Sequence, residues 1–161
     1  MNIQVELLHI SPIVLLGMSM EMTLSKYQPG RLWSQFMPRK HEISAPLSTS
    51  LYSAAQYPEE YFTQFNPSRP FLRWACLSVN DSTNIPDGMA LLHITEGQYA
   101  RFYHQNASTD NTAFQWFFEE WLPNSGMQVD ARPHFEILDP DYGPHNLSGE
   151  WVYIPVSTIN Q

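Results

Sequence analysis

The chain repeats itself, and the repeat narrows its possible folds more than any other feature. Leu7-Leu8-His9-Ile10 recurs as Leu91-Leu92-His93-Ile94. Four shared residues are weak evidence alone, because Leu is common. At the same displacement, however, Trp33 falls on Phe117, Met37 on Trp121, and Leu51-Tyr52 on Phe135-Glu136. After one loop is shortened, Trp74-Ala75-Cys76-Leu77-Ser78-Val79 lies over Trp151-Val152-Tyr153-Ile154-Pro155-Val156. The matches are collinear, so the reading is one domain over 1–161 made of two half-repeats, about 1–80 and 88–158. The turn-rich stretch 80–88, NDSTNIPDG, separates them.

Each half reads β-α-β-β. Residues 3–24 alternate or run apolar with a break at Ser11-Pro12, which predicts a strand or a bent pair of strands. In 29–43, Leu32, Trp33, Phe36 and Met37 form a helical stripe that Pro38 interrupts. Strands are predicted at 51–56 and 71–79. The second half opens with runs 89–94 and 98–104 around a Thr95-Glu96-Gly97 turn. Its helix is the best in the chain: Phe114, Phe117, Phe118, Trp121 and Leu122 lie on one face, Thr109 or Asp110 is placed to cap it, and Pro123 with Gly126 to stop it. Trp116 falls off that stripe, where exposure is expected. Two strands follow, 134–138 and 150–156, each short, rich in aromatic and β-branched residues and bounded by turn formers. The expected fold class is α+β: duplicated β-α-β-β units related by a pseudo-twofold, with an antiparallel sheet, both long helices on one face and a ligand cleft on the other.

Strand alternation then nominates a site. His134, Glu136 and Leu138 share one face of their strand, and Trp151 and Tyr153 share one face of the next. If the aliphatic and Phe-bearing rows cover the core, the helix-free face gathers Tyr52, Trp74, Tyr99, Tyr103, Trp151 and Tyr153 around Glu136 and His134. A solvated face would carry Thr, Lys, Glu or Arg instead, so an aromatic face points to a ligand or partner surface. The nine Phe, eight Tyr and five Trp suit a lined cavity; a Trp-rich core is the plainer alternative.

The remaining inventory mostly excludes. A net charge of −8 repels phosphate backbones, so direct nucleic-acid binding is not expected. One cysteine, Cys76, rules out an internal disulfide and reads as a small buried strand residue. The apolar run 10–20 is too short for a bilayer and lacks a basic leader, so no membrane association and a cytoplasmic location are expected. The six histidines, His9, His41, His93, His104, His134 and His145, show no ligand spacing, and neither metal nor cofactor is expected.

On MALLHITEGQYARFYHQ, FFEEWLPNSG, RPHFEIL and GEWVYIPV, the C-terminal half resembles the GyrI-like effector-binding family, the ligand domains of AraC-type and multidrug-responsive bacterial regulators. The N-terminal half resembles it loosely and carries no helix-turn-helix pattern, so the expectation is a stand-alone member. The resemblance implies a binding role for the Glu of the P-x-F-E segment, here Glu136, with the final-strand aromatics Trp151 and Tyr153 and with Glu150 as a second acidic position. A carboxylate among rings is costly unless compensated, and an organic cation would supply both the charge and cation–π attraction. The expected ligand is therefore small, amphipathic, aromatic and cationic. The bland alternative makes Glu136 a satisfied strand residue bonded to backbone or to Arg132. The family also suggests a hydrolase with Glu136 as general base, or a gyrase-inhibitor-like module for a protein partner.

Overall fold

The computed structural model describes residues 3–105, 111–140 and 149–159. The expected cap residues Thr109 and Asp110, and His145, lie outside them. Nine strands and two helices make up the described fold: β1 Glu6–Ile10, β2 Ile13–Met22, α1 Pro29–Phe36 with a 3₁₀ extension Met37–Glu42, β3 Tyr52–Gln56, β4 Phe71–Ser78, β5 Ala90–Ile94, β6 Gly97–His104, the second helix, β7 Met127–Val129, β8 His134–Leu138 and β9 Glu150–Thr158. The main sheet is antiparallel throughout, in the order β1-β6-β9-β8-β3-β4-β2-β5. The short β7, which the sequence reading missed, pairs with the end of β9.

The first half is β-β-α-β-β, and the second repeats that order with the short β7 added after its helix, rather than β-α-β-β. Pro12 has no N–H to continue a ladder, and Gly97 (φ 155°) opens the matching corner in the second half, so each long leading run becomes two strands. Those two strands do not pair with each other. β1 crosses to β6 and β2 pairs with β5, while β3 and β8 join the halves at the centre. The sheet therefore curls until its two ends meet at the corners between β1 and β2 and between β5 and β6.

Curling gives the sheet two buried faces. Both helices pack on one face, as expected. Leu32 and Phe36 of α1 cover Leu16, Ala75 and Leu77, and Phe117 of the second helix covers Ala100, Phe102, Val152 and Ile154. The other face is the inside of the curl, filled by Ile10, Leu15, Trp74, Cys76, Leu92, Ile94, Tyr99 and Phe135. At Gly17 the strands β2 and β4 approach so closely that an added Cβ would collide with the Ala75 carbonyl.

The second helix runs through three consecutive segments: Thr112–Trp116, a wider π-type turn Phe117–Trp121, and Leu122–Ser125. Pro123 was expected to stop it and does not. A proline inside a helix removes one hydrogen bond and crowds the carbonyl of the preceding turn; the wide turn ahead of Pro123 accommodates both losses. The helix stops at Gly126, whose φ of 76° is left-handed. Trp116 is half-buried against the helix's own core cluster instead of exposed.

Candidate functional site

The middle of the molecule is the β3–β8 seam, where Ser53 lies opposite Glu136. The same two residues are also repeat equivalents. Tyr52-Ser53 oppose Cys76-Ala75 in the first half, as Phe135-Glu136 oppose Tyr153-Val152 in the second. The pseudo-twofold thus passes between Ser53 and Glu136. The sequence repeat lays Glu136 over Tyr52, one residue out of register, and a one-residue slip moves a side chain to the opposite face.

The register settles which candidates share a face. His134, Glu136, Leu138 and Glu150 point to the helix-bearing side, because Glu136 opposes Val152 and Leu138 opposes Glu150. Tyr52, Trp74, Tyr99, Tyr103, Trp151 and Tyr153 point to the inside of the curl, with Phe135 and Ile137. The expected ring of aromatics around Glu136 is therefore split, and Glu136 stands on the side of the helices. Both rows of β8 are buried, so apolarity could not select the core-facing one.

On the inner face the aromatics are largely occupied with one another. Tyr153 stacks on Phe135 at 4.5 Å, Tyr52 leans on Phe135 at 6.1 Å, and the Tyr99 hydroxyl donates to the Pro133 carbonyl at 2.8 Å. Trp74 donates to Gln56 at 2.8 Å. At the rim, Trp151 packs edge-on against Tyr103, whose hydroxyl donates to Asp139 at 2.5 Å. This face also brings its own cation: the Arg101 guanidinium sits 4.7 Å from the Trp151 ring centre and 5.8 Å from that of Tyr153. Arg132, which the alternative reading offered beside backbone as a partner for Glu136, lies instead over Tyr99 and donates to the Gln98 and Val156 carbonyls.

The partner of Glu136 is Arg73, which the sequence reading did not single out. Arg73 stands on β4 opposite Ala55, a side chain small enough to reach across. Its Nη2 donates to Glu136 Oε1, and its Nε and Nη2 donate to Ser53 Oγ at 3.0 and 2.6 Å. Arg73 and Glu136 are 9% and 4% exposed. The signal was present: Arg73 is the one charge in the run FLRWACLS, on the same face as Ala75 and Leu77. On the opposite flank of the seam, at the repeat position of Arg73, Glu150 pairs with His104 at 3.2 Å.

Burial and pairing act oppositely on Glu136. Loss of water disfavours the carboxylate and is the larger effect, while the Arg73 charge favours it; the net result raises Glu136 to about 7. Burial, reinforced by Arg73, drives His134 down to about 3, so its ring is neutral at ordinary pH.

The loop between β3 and β4 lays aromatic rings beside this pair. Tyr57 meets His134 at 4.8 Å and Tyr61 at the same distance. Phe62 is held between two rings, stacked on His134 at 5.2 Å and on Phe118 of the second helix at 5.3 Å. The loop is pinned by Arg69, which donates to the Glu59 and Glu60 carbonyls, and by the Ser25 N–H on the Pro67 carbonyl. The result is a buried ion pair with a neutral imidazole and an aromatic stack next to it.

A family model described as the integron-associated effector binding protein, Cass2, matches residues 6–156. The chain belongs to that family. The GyrI-like resemblance of the C-terminal half thus extends over both halves. Among curated proteins, the transcriptional regulator BrlR of Pseudomonas aeruginosa is 27% identical over 132 residues, which cover 79% of this chain and 46% of BrlR. The chain therefore spans about half the length of that relative. Two solved structures share the Cass2-type fold at low identity. The integron cassette protein VCH_CASS2 of Vibrio cholerae aligns with a TM-score of 0.62 at 14% identity, covering 98% of this chain and 100% of that one. SAV2435 bound to tetraphenylphosphonium aligns with a TM-score of 0.65 at 15% identity, covering 96% and 94%. No helix of the described residues is long and apolar enough to cross a membrane.

Proposed function

We propose that this chain binds small amphipathic aromatic cations on the helix-bearing face, over Glu136 and beside His134, Phe118 and the aromatic loop. The observation that carries this reading is a buried carboxylate at the pseudo-twofold seam, next to stacked rings. An ionised Glu136 needs a cation nearby, the place Arg73 takes in this structure, and an aromatic organic cation carries both that charge and a ring for the stacking slot. The Nε2 of His134 is buried without a hydrogen-bond partner among the described residues, so a ligand's polar group has a partner there. Membership of an effector-binding family supports the reading, as does tetraphenylphosphonium in SAV2435.

Tryptophan fluorescence titration with tetraphenylphosphonium tests the proposal, with tetraphenylborate as an isostere of opposite charge. Glu136→Gln is expected to weaken the phosphonium by about 1 to 3 kcal/mol and to spare the borate. Equal losses for both ions would remove the charge from the explanation.

A further inference from the structure

We propose that Phe62 and Arg73 are the pocket's own occupant: the ring and the guanidinium stand where the aromatic body and the charge of a ligand go, and an aromatic cation binds by displacing both. This rests on the reading that ligands bind over Glu136, and it names the two residues that set affinity and charge selectivity there.

The geometry divides the two roles. Arg73 holds Glu136 and Ser53 with its Nε and Nη2, the contacts a ligand cation needs. Phe62 fills a slot walled by His134 of β8 and Phe118 of the second helix, stacked near-parallel on each, with Tyr57 and Tyr61 edge-on to it. Aromatic stacking is tolerant of ring identity, so a ligand ring is an equivalent guest. Residues 63–66, which follow Phe62, are exposed, whereas Tyr61 before it is buried and meets its ring at 5.1 Å, so withdrawal of the ring separates Phe62 from Tyr61 while the chain beyond it is free of the core. Arg69 ties the far end of the loop to the Glu59 and Glu60 carbonyls, and Ser25 holds Pro67, so movement is confined to the residues between them. The charged and titratable groups around Glu136 are Arg73 on β4, His134 on β8, Glu150 on β9, His104 on β6 and Tyr57 in the loop. Of these, Arg73 donates a hydrogen bond to the carboxylate.

The two ions of equal shape separate the roles. Wild type, Arg73→Met and Phe62→Ala are titrated with tetraphenylphosphonium and with tetraphenylborate across a pH series, and affinities are compared on each protein's high-pH plateau, where the carboxylate is ionised. Arg73→Met is expected to bind the phosphonium about tenfold tighter and the borate more weakly, since a competing charge has been removed. The pH midpoint of phosphonium binding should move upward in the same variant, a change that mere loss of packing does not produce. Phe62→Ala should bind both ions more tightly by a similar factor. Unchanged or weaker phosphonium binding in Arg73→Met overturns the proposal, as does weaker binding of both ions to Phe62→Ala, which would make that ring a wall of the pocket. If Arg73→Met does not fold, Arg73→Met/Glu136→Gln removes both charges, and its preference between the two ions should vanish; retention of the wild-type preference overturns the proposal equally. Binding that depends on Glu136 but ignores Arg73 and Phe62 defeats this inference alone, whereas binding indifferent to Glu136 defeats the reading beneath it.

Discussion

Glu136 shows how one residue's surroundings decide its chemistry. Its folded pKa is raised to about 7 by burial, whereas an unperturbed Glu titrates near 4.3. The folded chain therefore holds this proton more tightly than the unfolded chain does, and the stability contributed is present at low pH and lost as pH rises through 7. A bound cation favours the ionised form, so tetraphenylphosphonium affinity should climb between about pH 6 and pH 8 with release of one proton. Isothermal titration in buffers of different ionisation enthalpy measures that proton; a pH-independent affinity would show that the ligand does not meet Glu136. The sequence marked Glu136 through its motif and His134 and Leu138 through alternation. It could not mark Arg73 as the partner, because the pairing crosses two strands that lie far apart in the chain. Nor did it place Tyr57 and Phe62, which sit in a Pro-bounded loop with no periodicity to read.

At the scale of elements, the strands and helices were largely legible because their apolar periodicities are strong, and the misreadings trace to proline, glycine and register. Pro123 lies inside the second helix because a wide turn absorbs it, and Gly126 ends that helix in a left-handed conformation with open space around its α-carbon. Gly17 is the reverse case, an ordinary strand backbone with no room for a side chain. Gly126→Ala should therefore cost only the backbone strain, about 1 kcal/mol. Gly17→Ala must push apart β2 and β4 and should cost several-fold more. Urea denaturation of both variants measures the difference, and equal losses would mean that the β2–β4 approach is not close. Alternation failed at the sheet for a physical reason: a curled sheet has two buried faces, so an apolar row no longer identifies the side facing the helices.

The whole molecule is two interlocked halves. The collinear repeat revealed the duplication and the pseudo-twofold, but the crossing of β1 to β6 and of β2 to β5 left no mark in composition or spacing. Those crossings predict that neither half is independent. A fragment of residues 1–80 leaves β2 without β5 and β3 without β8, and its far-ultraviolet circular dichroism should lack a cooperative thermal transition; a folded, cooperatively melting fragment would contradict the topology. The same architecture puts Glu136 at the centre, on the helix side, and turns the aromatics of the final strand into the curl. A crystal structure of this chain with tetraphenylphosphonium tests the placement of the ligand over Glu136. The ion is expected on the helix-bearing face, against Glu136, His134 and Phe118, with Phe62 withdrawn from its slot. An ion seated among Tyr103, Trp151 and Tyr153, with Phe62 and Arg73 unmoved, would contradict it.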